Sequence, residues 1–278
     1  MFDNNNYKIN KKFSKIIIIG DIHGDIERLK KLLINENIIN DSLEWITYNI
    51  IVIQLGDQLD SLNRLSNIND WEKLNDYDVV NFTNLLSKIA VFKNSLFISL
   101  NGNHELMNIL GNYSYVSKKS LNNNRNNLFN IKGVYRNILA NRPLVIQIND
   151  LIFCHAGIKK HHLDILDKYN KNIFYINDVW NKYLLLNNLD EIDSEIFNSI
   201  IDSDHGIIWT RDIYNTKENK YVLNKLKCSY MFIGHNTVDN IILNNNIWFV
   251  DSGLSRSYGR NNYEYIRIMN NNIKIIKI

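Results

Sequence analysis

Four consecutive isoleucines, at residues 16–19, run straight into the turn GDIHGD at residues 20–25. A β-branched run of this kind predicts a strand buried on both faces, as in parallel sheets covered by helices. Glycines bracket a tight turn, and ligands bind at the carboxyl ends of strands in open α/β sheets. Asp21 and His23 are therefore candidates for chemistry. The alternative is an ordinary turn in which Asp21 or Asp25 caps the following helix.

Strand-like and helix-like segments alternate along the chain. The strand-like runs are KIIIIGD, YNIIVIQLGDQLD, NSLFISLNGNHE, PLVIQINDLIFCHAG, CSYMFIGHN and NIWFVDSG. The helix-like segments between them are DIERLKKLLINENI, DYDVVNFTNLLSKIAVFK and HHLDILDKYN. This alternation favours an α/β layered domain, and the strand-rich C-terminal residues predict an antiparallel segment. Because no repeat or linker divides the chain, we expect one domain over residues 15–278 after a polar N-terminal extension, residues 1–14.

Composition narrows the class of protein. Of the 278 residues, 45% are hydrophobic and 22% charged, which is enough to bury an ordinary core. The net charge of +3 and the lack of a dense Lys/Arg stripe argue against nucleic-acid or membrane-surface binding. Cys154 and Cys228 lie in apolar runs and predict reduced, buried thiols. No signal peptide or membrane span is predicted, so we expect a cytoplasmic protein. We also expect a monomer.

The same polar ending recurs at five predicted strand ends. After Asp21 and His23 come GDQLD at residues 56–60, GNHE at 102–105, HAG at 155–157 and GHN at 234–236. Carboxylate, amide and imidazole donors without thiolate are typical ligands of hard-to-borderline divalent metals. If the strand ends converge, they supply more ligands than one ion needs. The pattern therefore predicts a two-metal site with a bridging carboxylate.

These five motifs resemble the calcineurin-like metallophosphoesterases, specifically their phosphoprotein phosphatase branch. The segments GNHELMNILGNYSYV and DSGLSRSYG are similar to the bacterial-type Shewanella-like phosphatases, and the match extends over residues 15–259. The resemblance implies an α/β fold of two mixed β-sheets packed face to face and flanked by helices. It also implies a metal-dependent phosphomonoesterase that acts on phosphoserine, phosphothreonine or phosphotyrosine in proteins.

The resemblance further implies a ligand set for two divalent ions of manganese, iron or zinc. The first metal would be held by Asp21, His23 and Asp57. Asp57 would bridge to a second metal, which three further residues complete: Asn103, His155 and His235. A hydroxide activated between the two ions would attack phosphorus in line, without a covalent enzyme intermediate.

Further roles follow from the same resemblance. His104 would be the general acid, oriented by Asp60. Independently of the resemblance, Glu105 neighbours ligand residues in the sequence and is expected to form hydrogen bonds that orient the ligand histidines. The family's arginine after the second Asp of GDxxD is replaced by Ser61 in this chain. The phosphate-binding candidates are Arg211, Arg64 if the turn after Asp60 is helical, and Tyr258, which either contacts substrate or packs beside it.

Two other functions stay open at this point. Related family members use the same centre on dinucleoside polyphosphates or other small phosphorylated molecules. A scaffold that keeps the fold without catalysis is the second alternative, and Ser61 is its one argument. The sequence makes no prediction about a regulatory subunit.

Overall fold

Two mixed β-sheets, described here from a computed structural model for residues 7–61 and 74–278, form the centre of the fold. The strands are β1 (Lys8–Ile9), β2 (Lys15–Ile19), β3 (Ile50–Gln54), β4 (Leu96–Ser99), β5 (Val145–Ile148), β6 (Leu151–Cys154), β7 (Tyr230–Ile233), β8 (Ile242–Asn244), β9 (Ile247–Phe249), β10 (Glu264–Met269) and β11 (Asn272–Lys277). The helices are α1 (Ile26–Asn35), α2 (Asp76–Ile89), α3 (Asn103–Ile109), α4 (Arg125–Phe129), α5 (Val134–Ala140), α6 (Lys160–Lys168), α7 (Tyr175–Leu186), α8 (Glu191–Ile196) and α9 (Thr216–Leu226).

The five-stranded sheet has the order β11-β10-β2-β3-β4, in which β2, β3 and β4 are parallel. Their register pairs Ile19 with Gln54 and Gln54 with Ser99. Because the three strands end at the same level, the turns that follow them lie side by side. β10 and β11 extend the sheet antiparallel to β2, which confirms the predicted C-terminal antiparallel segment.

The six-stranded sheet has the order β1-β5-β6-β7-β9-β8, with β6, β7 and β9 parallel. The strands β6 and β7 end just before His155 and His235. The run at residues 143–157, predicted as one strand, is instead the antiparallel hairpin of β5 and β6, since Asn149 takes a positive φ of 53° and turns the chain. Within the predicted N-terminal extension, β1 pairs with β5.

Three apolar clusters give the fold four layers. Between the sheets, Ile18, Ile53 and Ile98 pack against Phe153 and Phe232. A second cluster covers the outer face of the five-stranded sheet with α1 and α2, and a third covers the six-stranded sheet with α5 to α9. This arrangement confirms the predicted fold of two mixed sheets packed face to face and flanked by helices.

Several local predictions can be compared with this fold. Helices α1, α2 and α6 lie in the three predicted helix-like segments, and Asp25, rather than Asp21, caps α1 by accepting the Arg28 N–H. Cys154 and Cys228 are both free thiols; Cys154 is buried as predicted, whereas Cys228 is only partly buried because it lies in the turn after α9. Among the helices of the two described ranges, none has both the length and the apolar character that crossing a bilayer requires. The proposed domain limits stay a prediction.

Candidate active site

The turns at the carboxyl ends of both sheets bring the six sequence-predicted metal ligands to one place. All six side chains are at most 5% exposed: Asp21, His23, Asp57, Asn103, His155 and His235. Three of them come from turns after parallel strands of the five-stranded sheet, one begins α3, and two follow strands of the six-stranded sheet. The site therefore lies across the seam between the two sheets.

Two groups of side chains in this place have the spacing of a metal site, and Asp57 belongs to both. One is Asp57 with His23 and His104, and the other is Asp57 with His155 and His235. In each group one ligand atom per residue lies within 4.8 Å of the others. The Asp57 Oδ2 atom is 3.3 Å from His155 Nε2, 3.8 Å from His104 Nε2 and 4.0 Å from His23 Nε2. One carboxylate oxygen thus faces three imidazoles.

Backbone carbonyls hold the rings of three of these histidines by their other nitrogen. His23 Nδ1 lies 2.9 Å from the Leu59 oxygen, and His155 Nδ1 lies 2.7 Å from the Leu55 oxygen. His235 Nε2 lies 2.9 Å from a carbonyl oxygen in the segment before Arg211. Such bonds fix the tautomer and direct the remaining ring nitrogen, which is how proteins prepare histidine to bind metal. Buried oxygen and imidazole donors arranged in this way fit divalent cations.

Asp21 and Asn103 complete the cluster without belonging to either group of three. Asp21 Oδ2 is 3.8 Å from His23 Nε2, and both carboxylate oxygens of Asp21 lie 3.2 Å from the His235 backbone nitrogen. Asn103 Oδ1 is 3.1 Å from His155 Nε2. The structure therefore brings all six predicted ligands together, and it places His104 beside them as well.

Two glycines of the motifs leave room for the carboxylates. A Cβ atom on Gly102 would lie 2.2 Å from Asp57 Oδ1, and one on Gly234 would lie 2.2 Å from Asp21 Oδ1. Real Cβ atoms do not approach oxygen so closely, so neither position accepts a side chain without a shift. The glycines of GNHE and GHN are thus required by space inside the site.

Burial and the charges of neighbouring groups shift the pKa values of the side chains in this cluster. Burial and the Asp251 carboxylate hold the pKa of Asp21 well above its usual value. Burial alone would raise the pKa of Asp57, but His155, His104 and His23 hold it well below the usual range. Burial alone would lower the pKa of His155, whereas Asp57 and Asp21 raise it to about 10. Burial and the neighbouring charge of His155 lower the pKa of His235 to about 3. The cluster thus concentrates negative charge around Asp57.

His104 and Asp60 form a hydrogen-bonded pair at the edge of the cluster. His104 Nδ1 lies 2.8 Å from Asp60 Oδ2, and both residues are buried. The amide of Asn108 donates to both oxygens of Asp60, at 3.0 and 3.1 Å. Asn108 was not predicted, although it follows His104 by one helical turn on α3, which is the spacing that brings side chains together.

Arg125 is a second residue that sequence reasoning missed. Its Nη2 atom lies 3.4 Å from Asp60 Oδ1 and 2.8 Å from Asp76 Oδ2, and its Nε donates to Asn108 Oδ1 at 2.9 Å. The guanidinium therefore supports the carboxylate that orients His104. No sequence pattern pointed to it, because Arg125 is 65 residues from Asp60 along the chain.

Of the three predicted phosphate-binding residues, two lie in the part of the chain that the structure describes. Arg211 is exposed, and its Nη1 donates to the His235 carbonyl at 3.1 Å, so it lies at the mouth of the site. The Tyr258 ring packs beside the His23 ring, with centroids 5.8 Å apart. Arg64 lies outside the described residues. Ser61 is buried, and its hydroxyl has no hydrogen-bond partner in the part of the chain that the structure describes.

The expectation that Glu105 orients the ligand histidines is wrong. Its carboxylate accepts the backbone N–H groups of Asp57 and Gln58, each at 2.9 Å, and of Gly102 at 2.7 Å. The side chain thus ties the GDQLD turn to the GNHE turn through the backbone. The physical reason is that Glu105, at the third position of α3, points back towards the unpaired N–H groups at the helix start.

Arg256 connects the turn that contains Asp25 with the segment that carries Tyr258. Its Nη2 lies 2.9 Å from Asp25 Oδ1, and its backbone nitrogen lies 2.7 Å from Asp25 Oδ2. The segment that carries Tyr258 is in this way fixed against the turn that carries Asp21 and His23.

Comparison with known proteins agrees with this geometry. The sequence model of the calcineurin-like phosphoesterase family matches residues 14–239. The chain is 29% identical to Shewanella-like protein phosphatase 1 of Plasmodium berghei, over 99% of this chain and 77% of that protein. It is 32% identical to Shewanella-like protein phosphatase 2 of Arabidopsis thaliana, over 40% of this chain and 26% of that protein.

Solved structures share the fold at lower identity. A cold-active protein tyrosine phosphatase superposes with a TM-score of 0.77 at 19% identity, over 97% of this chain and 79% of that one. A serine/threonine phosphatase of Saccharomyces cerevisiae superposes with a TM-score of 0.60 at 15% identity, over 98% of this chain and 82% of that one.

The motifs, the geometry of the cluster and the family match agree on the class of protein. The chain belongs to the calcineurin-like phosphoesterase family and is a hydrolase of the metallophosphatase class.

Proposed function

We propose that this metallophosphatase acts on phosphorylated proteins and uses two divalent metal ions, of manganese, iron or zinc. The observation that carries the proposal is the position of Asp57, which belongs to both groups of potential metal ligands. In the proposed assignment Asp21, His23 and Asp57 hold one ion. Asp57 also contributes to the second, together with Asn103, His155 and His235.

When bound, two such ions lower the pKa of a water molecule towards neutrality and polarise phosphoryl oxygens. The residues of the chain supply the framework for this chemistry. Backbone carbonyls keep the histidine rings in position, and Glu105 keeps the turn of Asp57 in register with that of Asn103. This framework needs no covalent intermediate on the protein.

The proposed proton donor to the leaving alkoxide is His104. The Asp60 carboxylate, 2.8 Å from His104 Nδ1, orients the ring and leaves Nε2 directed towards Asp57. Asn108 and Arg125 hold Asp60 in turn and act as positioning residues. Arg211 binds phosphate at the mouth of the site, since its planar guanidinium matches two phosphoryl oxygens. Tyr258 lines the pocket beside His23 in this proposal.

Protein substrates are proposed from the names of the relatives. The match to Shewanella-like protein phosphatase 1 extends over almost the whole chain, so it includes the walls of the site as well as the motifs. Phosphoserine and phosphothreonine are the proposed targets, with phosphotyrosine as a further one.

Hydrolysis of p-nitrophenyl phosphate by the purified protein tests the chemistry. We expect stimulation by Mn²⁺, loss of activity in Asp57→Asn and in His104→Asn, and loss of bound metal in Asp57→Asn alone. His104→Asn should keep its metal and lower kcat by about 10²–10⁴. Equal loss of metal in Asp57→Asn and His104→Asn would contradict the separate roles of Asp57 as a metal ligand and His104 as the proton donor. A protein that binds two metals and is inactive with every divalent ion would support the scaffold alternative.

A side-by-side assay tests the substrate class. Phosphoserine, phosphothreonine and phosphotyrosine peptides are compared with diadenosine tetraphosphate at equal concentration. We expect a higher kcat/KM for at least one phosphopeptide. Turnover of the dinucleotide alone would show that the chain is a small-molecule phosphatase instead.

A further inference from the structure

A cavity of about 520 Å³ lies away from the candidate active site, where α2, β4, α5 and β5 meet. Its volume is within the range of pockets that bind small organic ligands. Phe97, Ile138 and Ile146 contribute apolar surface to its wall. The cavity therefore has room for the apolar body of a ligand.

One end of this cavity carries a buried positive charge. Arg142 is 8% exposed, and its Nη1 donates to Gln58 Oε1 at 2.6 Å. Its Nη2 donates to the Val80 carbonyl at 3.2 Å and to Thr83 Oγ1 at 3.0 Å. All three acceptors are neutral. Burial lowers the pKa of Arg142 to about 10, which still leaves the guanidinium charged at neutral pH.

No carboxylate of the described residues forms an ion pair with Arg142, although the charge of the buried Glu105 carboxylate acts on it and raises its pKa against the effect of burial. None of their carboxylate oxygens lies within ion-pair distance of Arg142, and no residue lining the cavity is acidic. The other charged residue of the wall is the exposed Lys88. A buried cation whose hydrogen-bond partners are all neutral is costly, because a carboxylate beyond ion-pair distance offsets its desolvation only in part.

Polar donors at this wall also have spare capacity. Arg142 donates hydrogen bonds through Nη1 and Nη2, and its Nε donates to none of the described residues. Ser99 lines the same cavity, and its buried hydroxyl has no hydrogen-bond partner in the described ranges. A buried polar group without a partner is costly, and a ligand oxygen that accepts its hydrogen bond would recover that cost.

We propose that this cavity binds a small amphipathic organic anion with one carboxylate head. The carboxylate pairs with Arg142, and the apolar body lies against Phe97, Ile138 and Ile146. Charge decides the class of ligand, because two cationic residues and no acidic one line an otherwise largely apolar wall. This site is separate from the proposed catalytic function and does not depend on it.

Calorimetric titration of the whole chain with decanoate, kept below its micellar concentration, tests the proposal. We expect one molecule bound per chain, with decan-1-ol bound at least tenfold more weakly because it lacks the charge. Arg142→Met should weaken decanoate binding at least tenfold. Equal affinity for acid and alcohol, or no binding of decanoate, would overturn the proposal.

Two further variants keep the test decisive. Arg136→Met removes another buried arginine, whose partners are the Leu184 and Tyr183 carbonyls, outside the cavity, and should bind decanoate normally. Ser87→Trp, from α2, should fill the cavity without touching Arg142 and weaken binding at least tenfold. If circular dichroism shows that Arg142→Met does not fold, the Ser87→Trp variant and the comparison of decanoate with decan-1-ol decide the test. Unchanged binding in Ser87→Trp, or equal loss in Arg136→Met, would contradict the proposed site.

Discussion

At the scale of single residues, the candidate site concentrates unusual backbone conformations. His23, Asp57, Asp60 and His235 all have positive φ, between 44° and 67°. Of the sixteen non-glycine residues with positive φ in the described ranges, ten are asparagine, which tolerates this region well. Aspartate and histidine are also enriched in this region, yet a non-glycine residue held there still costs of order 1–3 kcal/mol. Packing around the site must hold them there.

The buried Arg125 allows a stability test. Arg125→Met leaves Asp60 and Asp76 without their cation, and we expect a loss of about 3–5 kcal/mol in the free energy of unfolding. Arg136→Met is the matched control, since Arg136 is buried against carbonyls and not carboxylates. Urea unfolding measures both variants. An equal loss in the two would mean that the carboxylates are not the reason.

Metal affinity should depend on pH at this cluster. Asp57 and Asp21 raise the pKa of His155 to about 10, so a metal must displace a proton from this ring near neutral pH. Because acid favours the proton, affinity for Mn²⁺ should fall about tenfold for each pH unit lowered between pH 8 and 6.5 if one proton is displaced. Calorimetric titration measures it. An affinity that is flat over this range would contradict the coupling.

At the scale of elements, short turns between strand and helix build the site. The turn after β4 shows why: Gly102 is the N-cap residue of α3, Asn103 is the first residue of the helix, and Glu105 reaches back to the neighbouring turn. The position of Asp57 depends on this turn because Gly102 has no side chain. A shift of a few tenths of an ångström in the Gly102 backbone would displace the Asp57 carboxylate.

Gly102→Ala tests this dependence. Its Cβ would meet Asp57 Oδ1 at 2.2 Å and His155 at 2.8 Å, so we expect at least tenfold weaker metal binding and a matching loss of phosphatase activity. The control is Gly111→Ala, where a Cβ meets nothing within 4 Å and the cost is backbone strain at a φ of 78°. Gly111→Ala should lose about 1 kcal/mol of stability and keep its metal. Normal metal binding in Gly102→Ala would refute the spatial argument.

At the scale of the whole molecule, the candidate metal site joins the two sheets. Asp21, His23 and Asp57 follow strands of the five-stranded sheet, and His155 and His235 follow strands of the six-stranded sheet. Cations held by both sets would cross-link the sheets at the edge of their shared apolar core. Metal binding should therefore stabilise the fold and not the local turns alone.

Chelation should lower the melting temperature. Metal at a hundredfold excess over its Kd stabilises the folded state by about 2.7 kcal/mol, which is about 5–10 °C for a domain of this size. Differential scanning fluorimetry with Mn²⁺ and with EDTA measures the difference. Asp57→Asn, which removes the ligand shared by both groups, should show a much smaller shift. The same shift in the variant and the parent protein would place the stabilising metal elsewhere.

The sequence alone was sufficient for the parts of this protein that depend on local physics. Runs of β-branched residues identified the buried strands, helical periodicity identified α1, α2 and α6, and Asp, His and Asn at strand ends identified the cluster later found across the seam. These signals are readable because strand burial, helix faces and turn chemistry act over a few residues. The family resemblance then supplied the α/β fold of two mixed sheets.

Tertiary structure decided everything that depends on distant segments meeting. The backbone role of Glu105, the support of Asp60 by Arg125 and the cavity beside Arg142 follow from how layers pack. No local pattern encodes these pairings, since the partners lie tens of residues apart and meet only when the apolar faces of the two sheets and their helices are buried together. Hydrophobic burial, which is non-directional, sets that arrangement, and the polar contacts form where it leaves them.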